Sequence, residues 1–174
     1  EKQDLEHHLA LAREVQESLL PASAPQVPGY DLYGVNLPSM DIGGDYFDYL
    51  PLPDGRVGLV VADVSGKGVA AALIMATFRA ALRIEHRRGR AIGHVVRETN
   101  RMLLDSMGPT RYVTGVYGIL EPASGVFTYV NCGHNPPMLL GANGRARRLQ
   151  RGRAALGMPV DLPEETGRVT LRPG

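Results

Sequence analysis

Asp45 and Asp63 stand at equal distances on either side of the turn Pro53-Asp54-Gly55. If the flanking segments fold back as an antiparallel hairpin, residues whose numbers sum to about 108 face each other. Asp45 then meets Asp63, or Val64 if the turn slips by one. Opposed side chains in such a ribbon have Cβ atoms roughly 4.5–5.5 Å apart, where two negative charges repel. Two carboxylates held that close call for a cation between them. Gly43-Gly44 permits a tight backbone approach beside Asp45. The turn Val64-Ser65-Gly66-Lys67-Gly68 can aim the Val64 carbonyl into the same space. All these donors are hard oxygens, which select Mg²⁺ or Mn²⁺ with water in the remaining positions. Such a cation can polarise a phosphoryl oxygen and supply hydroxide as a nucleophile.

A plainer reading stands beside this one. An aspartate before a glycine-rich turn often caps a turn or a helix, and for Asp63 alone that is the simpler account. The mirror placement of Asp45 brings the two readings level. Asp48 lies three residues from Asp45 along a strand and should face the other way. Gly66-Lys67-Gly68 is not a nucleotide-binding P-loop, because position 61 is Val and Gly68 follows the lysine. It does lead into a helix N-terminus, where free N–H groups favour an anion; a close-packed strand-to-helix turn accounts for it equally well. His134, in the dense turn Asn131-Cys132-Gly133-His134-Asn135-Pro136-Pro137, suits a general acid, a substrate contact or a structural hydrogen bond. Cys132 reads as a small buried residue.

The elements that must hold these residues are legible in outline. Residues 3–20 form a helix in which Leu5, Leu9, Ala12, Val15 and Leu19 share a face, and Pro21 ends it. Leu5, Ala12 and Leu19 are seven apart, which permits a short coiled-coil seam or an amphipathic helix lying on its own domain. Residues 21–29 read as a Pro-rich linker. Strands are expected over 30–37, 45–52 and 56–64, the last buried on both faces. A helix over 69–88, buried nearly all round at its start, is followed by an amphipathic helix carrying Ile92, Val95, Val96, Thr99 and Leu103. Strands over 112–120 and 126–132 come next. A hairpin about Asn143-Gly144 and a strand from Arg168 close the order. Hairpins, then two helices, then hairpins imply an α+β fold with helices packed on antiparallel sheet.

A chain of 174 residues with 44% hydrophobic content is long enough for one domain with a sizeable core. The net charge of +1 gives no overall pull toward nucleic acid. The arginine groups at 87–90 and 145–153 lack the interleaved aromatics of a nucleic-acid surface and read as solvated faces. One cysteine excludes an internal disulfide and a cysteine-based zinc site. No apolar run is long enough to span a bilayer, so no membrane insertion and a cytoplasmic setting are expected.

Four motifs, in order along the chain, resemble one family. Ala12-Arg13-Glu14-Val15-Gln16-Glu17-Ser18-Leu19-Leu20-Pro21 is similar to the lead-in helix of SpoIIE-type protein phosphatases, the bacterial branch of the PPM superfamily. Gly43-Gly44-Asp45-Tyr46-Phe47-Asp48 resembles their first acidic motif. Ala62-Asp63-Val64-Ser65-Gly66-Lys67-Gly68, followed by Ala70-Ala71-Ala72-Leu73, resembles the second. The Asn131–Pro137 turn resembles their later Asn-Ala-Gly-His-x-Pro-Pro motif.

The resemblance implies a metal-dependent protein serine/threonine phosphatase on an α+β, PPM-type antiparallel β-sandwich flanked by helices. It implies Mg²⁺ or Mn²⁺, two ions in the complete domain, held by Asp45, Asp63 and the Val64 carbonyl. Asp45 and Asp63 would act through a metal-bound water that attacks phosphorus in line. Gly44, Ser65, Gly66, Lys67, Gly68, His134 and Asn135 would support the loops or the substrate. The family pattern continues beyond Gly174 with two further acidic motifs, so a domain lacking its C-terminal strands and about half of its acidic ligands is expected. A catalytically incomplete fragment, or an interaction module on the same scaffold, is the alternative reading. The implied organisation is a signalling helix over 1–21 and a partial phosphatase domain over 22–174. The implied partners are a phosphorylated regulatory protein of the anti-sigma-factor antagonist kind, an upstream sensor domain, and a second copy paired through residues 3–20.

Overall fold

The computed structural model describes residues 2–37, 42–107, 110–159 and 165–173. Eleven elements follow one another: α1 (Lys2–Leu19), β1 (Tyr46–Pro51), β2 (Val57–Val64), α2 (Gly68–Arg87), α3 (Ile92–Met107), β3 (Val113–Glu121), β4 (Val126–Cys132), β5 (Met138–Leu140), β6 (Ala146–Arg148), β7 (Gly152–Arg153) and β8 (Gly167–Thr170). The main sheet runs β1-β2-β3-β4, with β7 and β8 both paired to the outer side of β4. All its pairings are antiparallel except the short β4–β7 contact. The separate β5–β6 ribbon turns through Asn143-Gly144, with Gly144 at a positive φ. The α+β class is as expected.

Strand alternation puts the core on one face of this sheet. Tyr46 and Leu50 of β1, Val60, Ala62 and Val64 of β2, Val113, Tyr117 and Ile119 of β3, and Val130 and Cys132 of β4 point toward the helices. They meet Ala71, Met75, Phe78 and Leu82 of α2 and Ile92, Val95, Val96 and Leu103 of α3. Three- and four-residue spacing on the helices and two-residue spacing on the strands produce this single interface. Cys132 is buried within it, as read from sequence.

Several expectations need correcting. β2 is not buried on both faces: its burial alternates, and Val61 is 53% exposed. The start of α2 is one-sided too, with Ala71 and Met75 buried while Val69 and Leu73 lie exposed. Residues 31–37 form no strand, although Gly34 lies against Phe47 and Tyr49 of β1. On α1 the half-buried row is Leu9, Ala12, Gln16 and Leu19, so Gln16 takes the place given to Val15, which is 62% exposed. The Leu5 side chain lies outside what the structure describes.

Asp48 shows what a structural aspartate looks like here. It points to the helix side, as expected from its spacing, and its carboxylate is buried. The Nε and Nη2 groups of Arg83 on α2 donate to it at 2.7 and 2.9 Å. The Tyr46 hydroxyl and the Tyr49 N–H donate to it as well. Every lone-pair direction that matters is used, which is the condition for a buried charge.

His86 on α2 is also buried, with Nδ1 at 2.8 Å from the Tyr117 hydroxyl. Burial, reinforced by the Arg56 and Arg83 charges, lowers its pKa from the ordinary 6.5, against weaker opposing effects from the Leu50 main chain and Asp48. The unfolded chain therefore takes up this proton before the folded chain does. Stability is fully present above pH 6.5 and falls as pH drops toward the folded value. The melting temperature of the wild type should decline more steeply below pH 6.5 than that of His86→Phe; parallel pH profiles would show the ring is not the source.

Candidate active site

The β1–β2 register pairs Tyr46 with Ala62 and Phe47 with Val61, the numbering sum expected from the turn. Pairing continues past the strand end, because the Val64 N–H donates to the Gly44 carbonyl at 3.3 Å. Asp45 and Asp63 therefore face each other at the open end of the ribbon. Both lie on the sheet face away from the helices, and both are exposed.

Their carboxyl groups interact. Partial loss of water, then the charge of Asp63 and a hydrogen bond shared with it, raise the Asp45 pKa above the ordinary 3.8. His134 acts in the opposite direction, which places its ring within electrostatic reach of Asp45. A like-charge pair sits at this end of the sheet. Among the described residues no group of three or more His, Cys, Asp or Glu side chains is placed to hold a metal ion together.

The surroundings explain why these residue types stand here. A Cβ added at Gly44 would lie 2.9 Å from both the Cβ and the carbonyl oxygen of Val64. Glycine is what lets the two strand ends close, because a side chain here would collide with Val64 on the buried side of the ribbon. Replacing Gly44 by Ala should cost about 1–3 kcal/mol through this overlap. A Cβ at Gly43 meets only the Asp45 nitrogen, at 3.9 Å. Thermal unfolding should thus separate Gly44→Ala, with a lowered melting temperature, from a near-neutral Gly43→Ala.

After Val64 the chain turns into α2 through Ser65-Gly66-Lys67-Gly68. Ser65 is tied to the start of β3 by two bonds: its N–H donates to the Tyr112 carbonyl, and its hydroxyl accepts the Tyr112 N–H, both at 2.9 Å. Gly66 (φ +102°) and Gly68 (φ +71°) adopt left-handed conformations that favour glycine. Lys67 is exposed at the N-cap of α2 and makes no side-chain cap bond. The end of α2 beside the acidic pair thus begins without a side-chain cap.

The Asn131–Pro137 turn reaches the same region from β4. Asn131 clamps it: its side chain accepts the His134 N–H at 2.8 Å and donates to the His134 carbonyl at 3.0 Å. The His134 Nδ1 lies 3.0 Å from the Thr114 hydroxyl, and Thr114 pairs with Asp63 across β2–β3. Asp45, Asp63, Thr114 and His134 therefore form a row across the outer face. Asn135 is exposed at its end. The sequence reading brought Asp45, Asp63 and His134 forward but missed Thr114 as a link and Asn131 as the clamp. The β2–β3 register that reveals Thr114 is set across two intervening helices, beyond any local pattern. Beside the row runs a groove of about 530 Å³, lined by Tyr33, Val35, Phe47, Val61, Phe127 and His134 among others.

Residues 53–174 match the SpoIIE family, described as Stage II sporulation protein E. The chain belongs to the SpoIIE family. This SpoIIE-family chain is 27% identical over 135 residues to the phosphoserine phosphatase RsbU of Bacillus subtilis, covering 78% of the chain and 40% of RsbU. It is 34% identical to the crystal structure of the RsbU and RsbW domains of Rv1364c from Mycobacterium tuberculosis, with a TM-score of 0.68, covering 77% of the chain and 37% of that structure. The SiaA-PP2C domain of Pseudomonas aeruginosa superposes with a TM-score of 0.77 at 20% identity, covering 99% of the chain and 69% of that domain. The SpoIIE-family chain thus has the fold of a PP2C-type domain. It spans well under half the length of RsbU.

Proposed function

We propose that this chain is part of a divalent-metal-dependent protein serine/threonine phosphatase, acting on a phosphorylated regulatory protein. The observation that carries the reading is the like-charge meeting of Asp45 and Asp63, with Asp45 raised above its ordinary pKa. The donor chemistry fits a hard cation: two carboxylates that meet on one face, with the Val64 main-chain carbonyl next to Asp63 in the chain. Asp45, Asp63 and the Val64 oxygen would hold Mg²⁺ or Mn²⁺. Such an ion, when bound, supplies Lewis-acid polarisation of a phosphoryl oxygen and an activated water. Membership of the SpoIIE family and the likeness to a phosphoserine phosphatase support the reaction class.

The chain's own residues supply positioning. His134, clamped by Asn131 and hydrogen-bonded to Thr114, would present its ring beside the reacting phosphate as a proton donor to the leaving seryl oxygen or as a contact. Lys67, Asn135 and the uncapped start of α2 would meet the phosphate or the peptide carrying it. Residues 1–21 would form a signalling helix that joins this domain to a sensor and pairs with its copy, with residues 22–174 as the phosphatase part. Of the seven-residue row Leu5, Ala12 and Leu19 that motivates this pairing, Ala12 is half-buried and Leu19 packs on the chain's own core, so a second copy would meet the exposed Leu11 and Val15 instead. Phosphate release from a phosphoseryl protein of the anti-sigma-factor antagonist class, measured with Mn²⁺ and again with chelator, tests the reading. Turnover that persists in excess chelator contradicts it. No helix among the described residues is long and apolar enough to cross a membrane.

A further inference from the structure

One side chain of α1 reaches the backbone that carries Asp45. The Gln16 carboxamide uses both of its ends on a single residue 27 positions away. Its Nε2 donates to the Gly43 carbonyl, and its Oε1 accepts the Gly43 N–H at 3.1 Å. The next carbonyl, that of Gly44, accepts the Val64 N–H at 3.3 Å and so closes the ribbon end where Asp45 meets Asp63. Gly43 and Gly44 contribute no side chains to hold this segment, and glycine is the residue with the most backbone freedom to lose. The Gln16 bonds hold this segment from outside, next to the buried Ile42. The C-terminal end of α1 has further anchors. Leu19 and Leu20 pack on the core, and Arg79 of α2 donates to the Leu19 carbonyl at 2.7 Å.

We propose that Gln16 is a positioning residue for Asp45, so that docking of α1 sets the separation of the two carboxylates. The helix end and the acidic pair then behave as one mechanical unit. When α1 is seated, the Gly43–Asp45 segment is pinned against β2. When it lifts, the segment relaxes and the pair opens. The functional consequence rests on the cation reading above; the mechanical claim does not.

The test reads both parts separately on this chain, using Gln16→Leu, which removes both bonds, and Gln16→Glu, which keeps only the acceptor for the Gly43 N–H. Amide hydrogen exchange without metal comes first. In Gln16→Leu the Val64 amide should exchange about tenfold faster, because both side-chain bonds to the adjoining segment are lost. The Val113 amide, opposite Val64 in the sheet but bonded on its far side to the Leu156 carbonyl at 2.9 Å, should keep its wild-type rate. Gln16→Glu should fall between wild type and Gln16→Leu at Val64, and it decides the question if Gln16→Leu does not fold. Unchanged Val64 exchange, or equal acceleration at Val64 and Val113, would overturn the proposal, the latter by showing general destabilisation. Calorimetric titration with Mn²⁺ comes second and should show binding weakened about tenfold in Gln16→Leu. If wild type gives no Mn²⁺ heat, the cation reading falls, and the exchange data alone still decide the role of Gln16.

Discussion

Asp63→Asn and Asp45→Asn should each reduce metal-dependent phosphate release by on the order of 10³-fold, because losing a metal ligand removes several kcal/mol of charge stabilisation from the transition state. The same substitutions should leave the metal-free fold intact and slightly more stable. Asp45 has its pKa raised by partial desolvation and by Asp63, so its charge opposes the folded state above that pKa, and either substitution relieves it. A residue that lowers stability while charged, at an exposed strand end, is not accounted for by the fold. Wild-type turnover in both variants would remove Asp45 and Asp63 from the chemistry. A marked loss of melting temperature would recast them as structural.

The opposite pattern is expected three residues along the same strand. Arg83→Leu should destabilise the chain by about 3 kcal/mol, because it strands the Asp48 carboxylate in the core. For a chain of this size that is a drop of roughly 6–12 °C in melting temperature. The Tyr46 hydroxyl and the Tyr49 N–H remain as partners of Asp48 but carry no positive charge to offset it. The double variant Asp48→Leu/Arg83→Leu should recover much of the loss, since an apolar pair of similar volume avoids both desolvation costs. A loss in Arg83→Leu that the double variant does not repair would mean that packing of the arginine stem, and not the ion pair, is what matters. Asp48 in β1 and Asp45 just before it thus divide by face. Asp48 is paired, buried and structural; Asp45 is exposed and faces another acid.

That division was legible in the sequence, because it follows from two-residue alternation and the position of one turn. Pro53-Asp54-Gly55 fixed the register, and the observed Tyr46–Ala62 pairing keeps the same numbering sum. The helices were legible as elements but less so in their facing. The run from Val69 to Ala76 is apolar throughout and carries no polar residues to mark its outer side, so the exposure of Val69 and Leu73 was hidden. On α1 a glutamine occupies the inward row where an apolar residue was expected, and it does so because its partner is a main-chain amide. Residues 31–37 alternate like a strand but find no ladder partner. β7 is only two residues long, Gly152–Arg153, and exists because Gly152 approaches the Asn131 carbonyl closer than any Cβ would allow. Non-local contacts of this kind, Thr114 to His134 and Gln16 to Gly43 among them, leave no periodic trace.

Calorimetric titration of this chain with Mn²⁺, in wild type and in Asp45→Asn and Asp63→Asn, bears most directly on the central claim that the two carboxylates share one cation. Saturable binding in wild type, lost in each single variant, is the predicted result. Binding of equal affinity in all three proteins, or none in wild type up to millimolar metal, would contradict it.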